Sequence, residues 1–138
     1  MTLERTRGER NRNPGNLDRT ATMWQGQIQD AGEPRFCVFD TPENGIRALA
    51  KTLLAYYRKH ALNTVRGIIN RWAPPVENDT SAYVNAVAEQ CSVAPDDVIN
   101  PENSGCLEML VRAIIHQENG RVIYDDATIV KAIDEALA

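Results

Sequence analysis

No stretch of the 138-residue chain approaches the roughly 18 uninterrupted apolar residues of a membrane helix, so no span is expected. Cysteine is scarce: Cys37, Cys91 and Cys106 are odd in number and show no Cys-x-x-Cys spacing. A disulfide framework is thereby excluded, and no histidine stands at metal-ligand distance to build a zinc site. His60 and His116 likewise form no triad spacing, which argues against a nucleophilic hydrolase. Met1 to Gly8 contains no apolar core of the secretory kind, so export by the general route is not expected. Aromatics number only two Trp, four Tyr and two Phe, and the net charge of −4 disfavours wholesale nucleic-acid binding.

What is present is ordinary globular composition, 43% apolar and 25% charged. It predicts one domain over residues 1–138, large enough to bury roughly two thirds of its unfolded surface without staples. Charge is uneven along the chain. Residues 1–74 carry 12 Lys and Arg against 7 acids, and residues 75–138 carry 3 against 12. Two explanations fit: a basic ligand-binding half, or halves that pack with complementary fields. The basic residues are scattered, and Arg47, Lys51 and Arg58 read as the solvated face of a core helix without interleaved aromatics.

The chain divides into a loop-and-hairpin part, 1–40, and a helical part, 41–138. Arg7 to Asn16 is rich in Gly, Pro and Asn, the signature of an elaborate turn. Trp24–Ile28 and Arg35–Phe39 read as the arms of a small β-hairpin around Asp30-Ala31-Gly32. Thr41 and Pro42 open a helix whose stripe is Ile46, Leu49, Ala50, Leu53, Leu54 and Tyr57. A second helix starts at Asn63 or Thr64, presents Val65, Ile68, Ile69 and Trp72, and stops at Pro74-Pro75. A third is capped by Asp79 or Thr80 and carries Tyr83, Val84 and Val87 inward; a fourth runs from about Ser104, and a fifth from Asp126. The expected class is mainly α with a small β-hairpin.

One carboxylate breaks the amphipathic pattern. At about 100° per residue, Glu118 falls within about 40° of Leu107, Val111 and Ile114, on the core stripe of the fourth helix, while His116 points away. Gly120 is placed to end that helix in a left-handed conformation. A carboxyl on a buried face at a helix C-terminus loses hydration and meets the negative end of the helix dipole. Both effects favour the neutral acid that proton donation requires. The opposing reading is that the last turn emerges from the core and leaves Glu118 solvated.

The segments Arg7-Gly8-x-Arg10-Asn11-x-Asn13-Pro14-Gly15-Asn16, Trp24-x-Gly26, Phe36-x-x-Phe39-x-Thr41-Pro42, Trp72-Ala73-Pro74-Pro75-x-Glu77-Asn78-x-Thr80-x-x-Tyr83 and Glu118-Asn119-Gly120 resemble a group of small phage virion and prophage structural proteins. In that group the Asn run commonly reads three Asn; here Arg12 stands in the middle. A more distant resemblance is to lytic transglycosylases and glucosaminidases of the lysozyme superfamily. Their acid-bearing helix end, Asn-rich segment, Trp-x-Gly hairpin and late Tyr element all have counterparts here, in rotated order. The resemblance implies a circularly permuted lysozyme-like fold.

It also implies cleavage of peptidoglycan glycan strands, as muramidase or lytic transglycosylase, with Glu118 as general acid and no cofactor or metal. Asn13, Asn16, Trp24, Glu77 and Tyr83 become the substrate-binding candidates. Each has a plainer role as well: Asn13 and Asn16 as turn formers, Trp24 as hairpin anchor, Glu77 as a solvated loop residue, Tyr83 as core. Asp18, Asp40 and Glu43 are the available second acids. The alternative function is a non-catalytic virion or secretion-machine component that binds peptidoglycan. The expected partners are glycan strands and virion or secretion-system proteins. Location would be the phage particle, or the periplasm by dedicated delivery.

Overall fold

The computed structural model describes residues 4–138 and is mainly helical, with six helices and no sheet among those residues. Each helix starts at a polar side chain that caps its first turn. Thr6 opens α1, Arg7–Arg10; Thr41 opens α2, Pro42–His60; Thr64 opens α3, Val65–Trp72. Asp79 caps α4, Thr80–Gln90; Asn103 caps α5, Ser104–Asn119; Asp125 caps α6, Asp126–Leu137. Every one of these side chains accepts a backbone N–H of the first turn, a bond worth about 1 kcal/mol. Gly120 ends α5 at φ 80°, as its position predicts.

Helix α2 is the hub, packed on α6 along much of its length and also on α3 and α5. Leu49, Leu53, Ile69, Leu110, Ile114 and Ile129 are among the side chains sealed in the shared core. The last turn of α2 differs from expectation: Tyr56, not Tyr57, packs against that core. Asp96 and Asp97 lie in a turn, and the chain runs on without regular structure through Ile99.

The predicted hairpin does not form as a ladder. Residues 35–40 thread between two partners, making isolated bridges at Asp18 with Phe36 and at Gln27 with Phe39. Cys37 N–H donates to Leu17 O at 2.9 Å, and Ile28 N–H to Val38 O at 2.8 Å. The reason lies in Trp24 to Gln27, which is itself a tight turn: Gln27 N–H returns to Trp24 O at 3.0 Å, and Gly26 sits at φ 79°. A left-handed residue inside a would-be strand ends the pairing. Cys37, Phe39 and Ala48 form a small second core beneath this region, with Leu17 and Trp24 against it.

The N-terminal turn is more structured than its composition suggests, since Arg7–Arg10 is a helical turn. Arg12 and Asn16 both take φ near 51°, a conformation for which Asn has a better tolerance than Arg. That explains why a third Asn would suit the position Arg12 holds. The turn lies hard against α2: a Cβ on Gly45 would stand 1.8 Å from Arg12 O.

Candidate functional site

The end of α5 is stitched to the N-terminal turn by side chains more than a hundred residues apart in sequence. Asn119 is buried; its amide donates to Pro14 O at 2.8 Å and Ile115 O at 2.9 Å, and its oxygen accepts from Thr6 Oγ1 at 2.5 Å. Arg121 and Glu9 add an ion pair at 3.3 Å. With Asn119 fixed in this way, the preceding residue has little freedom of its own.

Glu118 projects from that turn, half-buried, and both its oxygens are held. Asn16 Nδ2 donates to Oε1 at 3.0 Å, and Tyr83 Oη donates to Oε2 at 2.9 Å. Tyr83 in turn accepts from Trp72 Nε1 at 3.1 Å. The α3–α4 junction that carries both aromatics is fixed by Thr80 Oγ1, which donates to Ala73 O at 2.5 Å. Burial first, and then the charge of Glu118, push the Tyr83 phenol far above its ordinary range, so it remains a proton donor to the carboxylate. Asn16 Oδ1 is buried with no hydrogen-bond partner, and lies 3.1 Å from the place a Cβ on Gly8 would occupy. Any larger residue at position 8 would crowd the Asn16 side chain that orients Glu118.

Glu118 opens into a cleft of about 970 Å³. Asn16, Asp18, Trp24, Arg35 and Phe36 line it from the N-terminal segments. Thr52 and Tyr56 from α2, Trp72 from α3, and Glu77 and Asn78 from the following loop complete it. Four of the eight aromatic residues thus face one depression, together with polar side chains and a single carboxyl held from two sides. Flat rings interleaved with hydrogen-bonding groups suit a ligand with apolar faces and polar edges, as sugar rings have.

Of the residues predicted for the site, Asn16, Trp24, Glu77 and Glu118 line this cleft, and Tyr83 stands behind Glu118 as its hydrogen-bond partner. Asn13 does not reach it. Its side chain is wholly buried, donating to Leu17 O and Cys37 O at 3.0 and 2.9 Å and accepting Leu17 N–H at 2.9 Å. The same amide that suits a sugar also closes a turn, and here the turn takes all of it. Among the candidate second acids only Asp18 lines the cleft, paired with Arg35 at 3.0 Å; Asp40 accepts from Asn44 instead, and Glu43 lies in the first turn of α2.

Sequence reasoning missed Arg35, Phe36, Tyr56 and Trp72 as cleft residues. Trp72 carried a signal in its place just before Pro74-Pro75, where a helix ends and its last side chain is free to face a groove. No group of three or more His, Cys, Asp or Glu among the described residues is arranged to hold a metal ion, and no helix there is long and apolar enough to cross a membrane.

No family model matches the chain. Protein P5 of Pseudoalteromonas phage PM2 is 37% identical over 134 residues, which cover 95% of this chain and 82% of that protein. By this similarity along nearly its whole length, the chain belongs to the phage protein family that includes Protein P5 of phage PM2.

Proposed function

We propose that this protein cleaves the glycan strands of peptidoglycan, with Glu118 as the proton donor to the bridging oxygen of the link between N-acetylmuramic acid and N-acetylglucosamine. The observation that carries the reading is the Glu118 carboxyl, gripped by Asn16 and Tyr83, opening into a cleft lined by Trp24, Phe36, Tyr56 and Trp72. Glycosidic cleavage needs an acid aimed at the leaving oxygen and a surface that holds pyranose rings in register. Trp24 serves as a stacking platform, and Asn16 and Tyr83 orient Glu118.

The reading includes a lysozyme-like fold in permuted order. Its support is the noncovalent seam between Glu118-Asn119 and Thr6 to Asn16, which brings the acid-bearing helix end and the Asn-rich segment together although they lie more than a hundred residues apart. A phage relative fits a virion location and delivery to the wall with the particle.

Purified sacculi treated with wild type and Glu118→Gln test this. Wild type should release glycan fragments and the variant should not; no sugar-chain products from wild type, or equal release by the variant, overturns it. The phage relationship also favours a second reading, a structural component that binds peptidoglycan without cutting it. Glycan binding by wild type with no product would select that one.

A further inference from the structure

We infer that Arg35 is a carboxylate-binding subsite of the cleft, selecting glycan that carries an acidic substituent over neutral glycan; the inference rests on the proposed glycan-cleaving function. Among the described residues lining the cleft, Arg35 is the one cation, against Asp18, Glu77 and Glu118. Its position is fixed from three sides. The guanidinium lies 4.6 Å from the Phe36 ring centroid, its Nε donates to Asp18 Oδ1 at 3.0 Å, and its backbone N–H donates to Glu33 at 2.7 Å. Phe36 is itself held on Arg7, whose guanidinium lies 4.5 Å from the ring and pairs with Glu33.

The arrangement leaves part of the guanidinium unused. Asp18 engages Nε, while the two terminal nitrogens make no hydrogen bond to any described residue, and the side chain remains 59% exposed. A planar fork with free donors, already oriented by stacking, is matched to a carboxylate. Its place in the cleft gives it a role. Asn16 touches Glu118 and Asp18 touches Arg35, so the acid and the anchor are mounted on one short rail whose two-residue step spans at most about 7 Å of backbone. A substituent on the sugar next to the scissile bond would meet Arg35 while the bond meets Glu118. Elsewhere the cleft's acids repel a carboxylate, so the anchor also sets the register of the strand.

In peptidoglycan a carboxylate has two sources: the lactyl group of muramic acid once peptides are removed, and the peptide stem where they remain. Both are tested by binding to Glu118→Gln protein, which holds substrate without consuming it. The probes are chitohexaose, amidase-stripped glycan strands and a tetrasaccharide bearing its peptides. At least one carboxylate-bearing probe should bind about tenfold tighter than chitohexaose, and Arg35→Gln in the same background should abolish that preference. Asp18→Asn, which frees Nε from its counter-ion, should widen it. Preference for stripped strands assigns the lactyl carboxylate, and preference for peptide-bearing ones assigns the stem. Equal affinity for all three probes, or a preference that survives Arg35→Gln, overturns the inference while leaving glycan cleavage standing. Absence of binding to every glycan overturns both.

Discussion

The Asn16 amide donates to Glu118 Oε1 at 3.0 Å across 102 residues of sequence. That bond joins a left-handed loop residue to the last turn of α5, and its geometry depends on both being fixed independently: Asn16 by the turn around Asn13, Glu118 by the buried Asn119 beside it. On the proposed function, a carboxyl placed in this way needs no reorganisation when glycan arrives.

Tyr83→Phe removes the other donor to Glu118 and strips the Trp72 indole N–H of its acceptor. Stability should fall by about 1 kcal/mol in denaturant titration. Glycan release should fall about tenfold through kcat with little change in KM, because the phenol positions the acid rather than the sugar. A variant with wild-type kcat would remove Tyr83 from the positioning role.

Asn13→Ala should behave in the opposite way. Three hydrogen bonds vanish, leaving Leu17 N–H and Cys37 O without partners while Leu17 O keeps the Cys37 N–H, at a cost on the order of 2 to 3 kcal/mol. The unfolding midpoint should drop accordingly. Because Asn13 lies outside the cleft, glycan affinity of the protein that remains folded should not show a loss specific to substrate contacts.

Gly45→Ala tests the seam between the N-terminal turn and α2. Its Cβ would stand 1.8 Å from Arg12 O, a backbone atom that cannot swing aside. Destabilisation of at least about 3 kcal/mol is expected. Gly32→Ala is a useful contrast: its Cβ meets nothing within 4 Å, so only the strain of φ 77° is felt, and the loss should be about 1 kcal/mol.

Acid stability should depend on Glu33. The Arg7 guanidinium, followed by the Phe36 and Arg35 N–H groups and the Asn11 amide, holds its carboxyl far below the usual carboxylate range. A depressed native value means that the contribution is full above the ordinary value of 4.5 and is lost as pH falls below it toward the native one. Thermal unfolding of wild type should therefore weaken on acidification through that window, and Glu33→Gln should flatten the dependence there. The same variant releases Arg7 and the 35–40 segment, so weaker seating of Arg35 should accompany it.

Much of the helical part was legible in one dimension. Thr41, Asp79 and Gly120 mark helix ends by local hydrogen bonding and φ preference, properties that act within a few residues and so are visible in a short window. The 3.6-residue period placed Glu118 on the apolar side of α5 for the same reason. The hairpin reading failed because β-forming residues at 24–28 say nothing about Gly26 taking a left-handed turn, or about residues 35–40 being shared between two partners. Tyr56 and Tyr57 were inseparable by period, since two adjacent positions on a helix can each reach a broad core, and the choice fell to the packing of neighbouring helices.

By itself, then, the sequence determined the five longer helices, several of their caps, and the presence of one carboxyl on a face where carboxyls are costly, because propensity, capping and amphipathic period are local. Only the tertiary structure decided which polar groups meet that carboxyl. Asn13 and Asn16 are the same residue type three positions apart in one turn, yet one is consumed by backbone groups and the other reaches Glu118. Trp72, Tyr56 and Arg35 joined the cleft for the same reason. Hydrogen-bond partners across a hundred residues are chosen by how helices pack and where chain ends return, and neither is encoded in the spacing of any single segment.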